Sequence, residues 1–197
     1  MRILITNYKI ITMKKSLIFR ITHHIKTVST HRREVRKNCF KCGLYKQGLL
    51  HDLSKYSPKE LSPSIKYYTD GKKSPYVTEK ELYGMSFGWL HHKGRNMHHW
   101  EYWNDYIAGK WVRLEMPLPY FIEMVCDRVA ACKVYEGSNY TNKSAYNYFH
   151  KRPESEFMHP STAKKLDEVF IDIAENGEDV VFEKLKKEYK EYKRNHK

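Results

Sequence analysis

Apolar residues recur at Ile18, Ile21, Ile25, Val28 and Val35, the spacing of a single stripe along a helix from Ser16 to about Lys37. His31 lies three residues after Val28 and four before Val35, so this helix turns an imidazole inward, whereas His23 and His24 fall toward other faces. A second helix is expected from Phe40 to Leu53, with Leu49 and Leu50 buried and His51 and Asp52 at its C-terminal end. Ser57-Pro58-Lys59-Glu60 then reads as a new start, with a serine N-cap, proline at the first helical position and glutamate three residues after the cap. That helix runs to about Tyr68 and stops near Asp70-Gly71, and Lys72-Lys73-Ser74-Pro75 reads as a surface loop.

Leu82, Met85, Trp89 and His92 share one face of a helix expected from Val77 to Lys93. His92 takes the buried side, and His91 lies about 100° around the wheel. Asn104 to Leu118 carries Gly109, Pro117 and large aromatics and reads as a loop over the core. A strong helix follows from Pro119 to Glu136 with a glycine stop at Gly137. Its face of Tyr120, Met124, Asp127, Ala131 and Val134 places a carboxylate on an apolar stripe. Burying an ionised carboxylate without a partner costs several kcal/mol, so Asp127 calls for a metal ion or a cation from another helix, Arg128 pointing elsewhere on the wheel. Three further helices are expected over Lys143–Lys151, Pro160–Glu175 and Glu178 to the end. They carry no catalytic constellation, and His150 and His159 read as surface or capping residues. The pattern as a whole is all-α.

With 41% hydrophobic and 14% aromatic residues in 197, the chain has the composition of a folded protein and the length of one domain. Residues 1–15 read as an extension, with Met13-Lys14-Lys15 an alternative start; residues 16–137 form the core, and 138–197 pack on the same domain. The first twelve residues make neither a signal sequence nor a membrane span, and the expected location is cytoplasmic with no membrane partner. A net charge of +13 favours anionic partners, either nucleotides and other phosphorylated small molecules or nucleic acid, although lysines spread along the chain also suit a plain solvated surface. The four cysteines read as reduced, half-buried thiols. Cys39-Phe-Lys-Cys42 has zinc-ligand spacing, but Cys126 and Cys132 complete a site poorly.

Chemistry gathers elsewhere. An imidazole and a carboxylate on the consecutive residues His51 and Asp52 can turn to one divalent cation. The stretch Leu90–Trp103 holds two adjacent pairs, His91-His92 and His98-His99, around Gly94-Arg95-Asn96, a density that points to metal for at least one of each pair. With His31 and Asp127, these give nitrogen and oxygen donors on four separate elements, the supply a helical bundle needs for a central metal site.

In this order the residues resemble the HD-domain superfamily of metal-dependent phosphohydrolases: a helix histidine (His31), an adjacent His-Asp (His51-Asp52) and a later helix aspartate (Asp127, in Asp127-Arg128-Val129). The resemblance covers roughly residues 20–137 and implies an HD-like helical bundle. Leu50-His51-Asp52-Leu53-Ser54-Lys55 is similar to the HD-x-x-K form, which implies catalytic roles for Asp52 and Lys55, with Lys55 facing substrate phosphate; Arg95 is a second candidate cation for phosphoryl oxygens. His91, His92, His98 and His99 resemble the additional ligands of two-metal members. The run His24–Trp103 also resembles a small bacterial family of unknown function, which supplies no substrate. The implied cofactor is one or two ions of Mn²⁺, Fe²⁺, Co²⁺ or Ni²⁺, or else Mg²⁺, activating water against a nucleotide or other small phosphoester. Two other readings stand beside it: an HD-type di-iron oxygenase, and a basic nucleic-acid-binding or regulatory module whose metal site is structural or degenerate.

Overall fold

The computed structural model describes residues 15–69, 71 and 73–196. Residues 1–14 of the expected extension, the alternative start at Met13, Asp70 of the expected helix stop and Lys72 of the expected loop lie outside them. Among the described residues there are nine α-helices and one two-stranded hairpin, an all-α architecture. The helices are α1 (Leu17–Lys41), α2 (Tyr45–Leu50), α3 (Pro58–Lys66), α4 (Pro75–Tyr83), α5 (Phe87–Lys93), α6 (Leu118–Glu136), α7 (Ser144–His150), α8 (Pro160–Asn176) and α9 (Glu178–Asn195). Strands β1 (Asn104–Ile107) and β2 (Lys110–Arg113) lie between α5 and α6. The chain divides into two compact units: residues up to Thr30 with Asp52–Arg95, and His31–His51 with Asn96 onward.

In the first unit α3 packs on α4 and α5. Tyr67, Tyr68 and Tyr76 are buried there, and Gly88 is the reason α5 can come close: a Cβ at that position would stand 2.8 Å from the Tyr76 ring. The single helix expected over Val77–Lys93 is in fact α4 and α5. Gly84, at φ 75°, closes the first, and Ser86 caps the second by accepting the Trp89 N–H at 3.0 Å. Met85 therefore sits exposed in the break, while His92 keeps its buried place.

In the second unit α6 is central. Phe121, Ile122, Val125 and Val129 are buried with Phe149 of α7, Leu166 and Phe170 of α8, and Phe182 of α9. The four cysteines are free and fully buried rather than half-buried, with the Cys42 and Cys126 sulfurs 3.7 Å apart. The expected loop over Asn104–Leu118 contains an antiparallel hairpin in which Tyr106 faces Trp111, turned by Ala108 (φ 49°) and Gly109 (φ 80°). Its strands are short and exposed on both faces, Trp111 at 77%, so they show no alternating pattern. His159 caps α8 by accepting the Ser161 N–H, and His150 faces Asp167 at the surface.

Three expectations about buried stripes fail. On α6, residues Phe121–Cys126 are buried in succession, and Tyr120, Asp127, Ala131 and Val134 of the expected face are half-buried, because helices pack around most of its circumference. On α1, Ile18 is 74% exposed and Ile25 is also exposed. The buried stripe is His24, Val28, His31, Val35 and Asn38, in steps of four and three, so it carries polar side chains where apolar ones were sought. The helix expected over Phe40–Leu53 is the six-residue α2, with Leu49 and Leu50 about half exposed (53% and 52%). Helix α1 continues to Lys41, and α2 buries Gly48 against it: a Cβ there would stand 2.9 Å from Cys39 Cβ. Side-chain-free contact, not leucine burial, seats α2.

His24 has a measurable consequence. Burial, and secondarily the charge of Lys55, lower its pKa from 6.5 to about 4, so it stays neutral in the fold at pH values where the unfolded chain takes up a proton. The contribution to stability is complete above pH 6.5 and is lost as pH falls toward 4, amounting to about 2 kcal/mol between pH 7.5 and pH 5. Urea unfolding at the two pH values is expected to show a loss of that size beyond that of His24→Leu. Equal losses in the two proteins would refute it.

Candidate metal centre

The second unit brings His31, His51, His98, Glu123 and Asp127 together. Helix α1 supplies His31 and, next to it, Arg32, whose Nε donates to the His51 carbonyl at 2.7 Å and whose Nη2 donates to the Leu49 carbonyl at 3.2 Å. These carbonyls end α2 and lack helical partners, so the guanidinium both caps the helix and fixes the turn that carries His51. Glu123 and Asp127 stand one turn apart on the same face of α6. Asp127 Oδ1 lies 2.9 Å from His31 Nε2 and 3.5 Å from His51 Nε2. Glu123 Oε1 lies 2.8 Å from His51 Nδ1 and 3.2 Å from His98 Nδ1. The His51 and His98 rings are 4.4 Å apart, and the His99 ring, half-buried, is 4.3 Å from that of His98. The loop carrying them is tied down by Trp103, whose indole N–H donates to the Met97 carbonyl at 2.7 Å.

The first unit holds the remaining donors. Asp52 follows His51 in the chain and adopts a left-handed backbone at φ 53°. Its Oδ2 pairs with Lys55 at 2.6 Å and its Oδ1 lies 3.3 Å from His92 Nε2. Glu60 is buried between Oε1 to His91 Nδ1 and Oε2 to His92 Nδ1, both at 2.8 Å, and Tyr76 donates its hydroxyl to Oε2 at 3.2 Å. Glu60 occupies the third position after Ser57, as a capping box requires, but it turns inward to the histidines, and the Ser57 side chain makes no capping hydrogen bond.

Burial opposes ionisation of Glu60, Glu123 and Asp127, yet each is held below its usual range. For Glu60 the hydrogen bonds and charge of His92, with His91, outweigh desolvation. For Glu123 the same is done by His51 and His98. For Asp127 it is done by His31 and His51, and the drop is large. His92 is lowered by burial in spite of Asp52 and Glu60.

Of the residues read from sequence, His31, His51, Asp127 and His98 are gathered in one unit, and Asp52, Lys55, His91 and His92 in the other. Arg95 is exposed at the end of α5. Arg128 pairs with Glu154, so histidines and not a guanidinium are the partners of Asp127. Glu60 and Glu123 went unread because a glutamate on a helix resembles a surface or capping residue. The available signal for Glu123 was its position four residues before Asp127. His24, read from sequence as lying toward another face of α1, is instead on its buried stripe.

Buried imidazoles and carboxylates in these positions can hold a metal ion. His51, His98 and Glu123 offer ligand atoms within 4.8 Å of one another, as do His31, His51 and Asp127. Residues 20–172, which contain every residue of both clusters, match a family of unknown function, DUF5662. The chain belongs to DUF5662. No curated protein and no solved structure matches this DUF5662 chain. No helix among its described residues is long and apolar enough to cross a membrane.

Proposed function

We propose that the chain is a metal-dependent phosphohydrolase of the HD type, acting on a nucleotide or another small phosphoester. The observation that carries the reading is the convergence of His31 and His51 on Asp127, in the chain order the HD pattern uses. In this reading those three residues hold a divalent transition ion. The donor set fits such an ion: mixed imidazole and carboxylate ligands suit Mn²⁺, Fe²⁺, Co²⁺ or Ni²⁺. An Nδ1-protonated, neutral His51 would set its Nε2 lone pair against an Asp127 oxygen, two acceptors that need a positive charge between them.

A bound ion supplies Lewis acidity and a water of lowered pKa. The chain's own residues do the rest. Lys55 pairs with Asp52 Oδ2, and in this reading its ammonium stabilises negative charge developing on a phosphoryl oxygen. The exposed Arg95 and the net charge of +13 favour approach of an anionic substrate. His31 and Asp127 keep 10% and 17% of their side chains exposed, enough for water to reach them.

Elemental analysis of untagged wild type beside Asp127→Asn tests the reading, followed by hydrolysis of a nucleotide and phosphoester panel with the metal found. One or two transition ions per chain, lost in the variant, with phosphoester turnover in the wild type alone, is the expected result. Two irons per chain with visible absorption and no hydrolysis would replace it with oxygen chemistry. No retained metal after Mn²⁺, Fe²⁺ or Ni²⁺ is supplied would overturn it in favour of a basic binding module, whose nucleic-acid affinity would fall steeply with salt.

A further inference from the structure

Glu60 and Glu123 share an arrangement that the HD pattern does not assign. Each is a buried carboxylate on a helix that meets two imidazoles through Nδ1: His91 and His92 for Glu60, His51 and His98 for Glu123. An ionised carboxylate accepts hydrogen bonds and donates none, so the proton at each contact belongs to Nδ1, and the lone pair of a neutral ring is then on Nε2. The Nε2 of His51 is the atom 3.5 Å from Asp127, and the Nε2 of His92 is the atom 3.3 Å from Asp52.

We propose that Glu60 and Glu123 are positioning residues that fix the Nδ1-protonated tautomer of their histidine pairs and so aim the Nε2 lone pairs as ligating atoms. The ligating part rests on the metal reading above; the tautomer part does not. Carboxylates behind metal-bound histidines act in this way generally, orienting the ring and raising its basicity.

The two glutamates make their contacts differently, and the difference gives the test. Glu60 spends one oxygen on each ring, whereas Glu123 serves both rings through Oε1. An amide has a single oxygen. Glu60→Gln must therefore set its NH₂ against one imidazole, which can accept only by moving its proton to Nε2; Glu123→Gln can keep both contacts and loses only charge.

The experiment uses full-length, metal-free protein labelled with ¹⁵N-histidine. Long-range ¹H–¹⁵N correlation at pH 7.5 reads the tautomer of each ring, and calorimetric titration with Mn²⁺ reads affinity. The wild type is expected to show His51, His91, His92 and His98 protonated on Nδ1. Glu60→Gln is expected to switch one of His91 and His92 and to weaken Mn²⁺ by roughly 10- to 100-fold. Glu123→Gln keeps both of its tautomers and weakens Mn²⁺ less than Glu60→Gln does. Nε2-protonated rings in the wild type would overturn the proposal whether or not the variants fold, and so would a folded Glu60→Gln with unchanged tautomers. Nδ1-protonated rings that switch in Glu60→Gln, in a protein that never binds Mn²⁺, would uphold the tautomer-fixing role and discard the metal reading alone.

Discussion

Asp127→Ala is expected to remove most of the thermal stabilisation that Mn²⁺ gives the wild type, together with phosphoester turnover. At a Mn²⁺ concentration of about 100 times Kd, binding to the native state alone adds about 2.7 kcal/mol, or roughly 5–11 °C in Tm for a chain of this size. Loss of a carboxylate that lies 2.9 Å from His31 and 3.5 Å from His51 should weaken the ion by at least about 100-fold, leaving about 0.4 kcal/mol at the same concentration. A thermal melt with and without Mn²⁺ checks this, and His150→Ala is the control. His150 also faces an aspartate, Asp167 at 3.2 Å, but on the exposed surface, and its loss should leave the Mn²⁺ shift intact. The same Mn²⁺ shift in Asp127→Ala as in wild type would place the ion elsewhere.

The second large effect is on stability. Phe170 is fully buried in the core of the second unit, with its ring 5.9 Å from that of Phe149. Truncation to alanine removes its transfer free energy and leaves a cavity, at a cost of about 3–5 kcal/mol. Tm should fall by roughly 6–20 °C. Trp111→Ala on the exposed hairpin removes more atoms yet should change stability by less than about 0.5 kcal/mol. Similar losses for both substitutions would mean that the hairpin packs against something in solution and that Phe170 is less enclosed than it is here.

The bounds of α6 and α8 were legible in the sequence because proline marks each start and glycine follows each end. The helices read from Pro119 and Pro160 begin and end within a residue of the observed α6 and α8. The short elements were not. Helix α2 is seated by Gly48, a residue without a side chain to mark a face, so the apolar Leu49 and Leu50 were assigned to a core that they do not enter. The α4–α5 break needed the left-handed Gly84 and the Ser86 cap to be weighed above the stripe that spans them. Among the clustered residues, His31, His51, Asp52 and Asp127 stood out in sequence because adjacency and spacing along a helix are properties of sequence. The partners Glu60 and Glu123 did not, since whether a helical glutamate faces water or two imidazoles is decided by what packs opposite it.

The left-handed turn at Asp52 restricts which residues evolution or an experimenter can place there. Glycine, asparagine and aspartate enter that conformation readily; a residue with a larger or branched side chain is strained by it. Glutamate would keep the charge yet meet both a strained backbone and a carboxylate displaced by one carbon. Alanine would remove the carboxylate and disturb the turn at once, confounding two losses in a single measurement. Asparagine alone retains the shape and subtracts the charge, so among all substitutions at this position it is the one whose effect reads as chemistry.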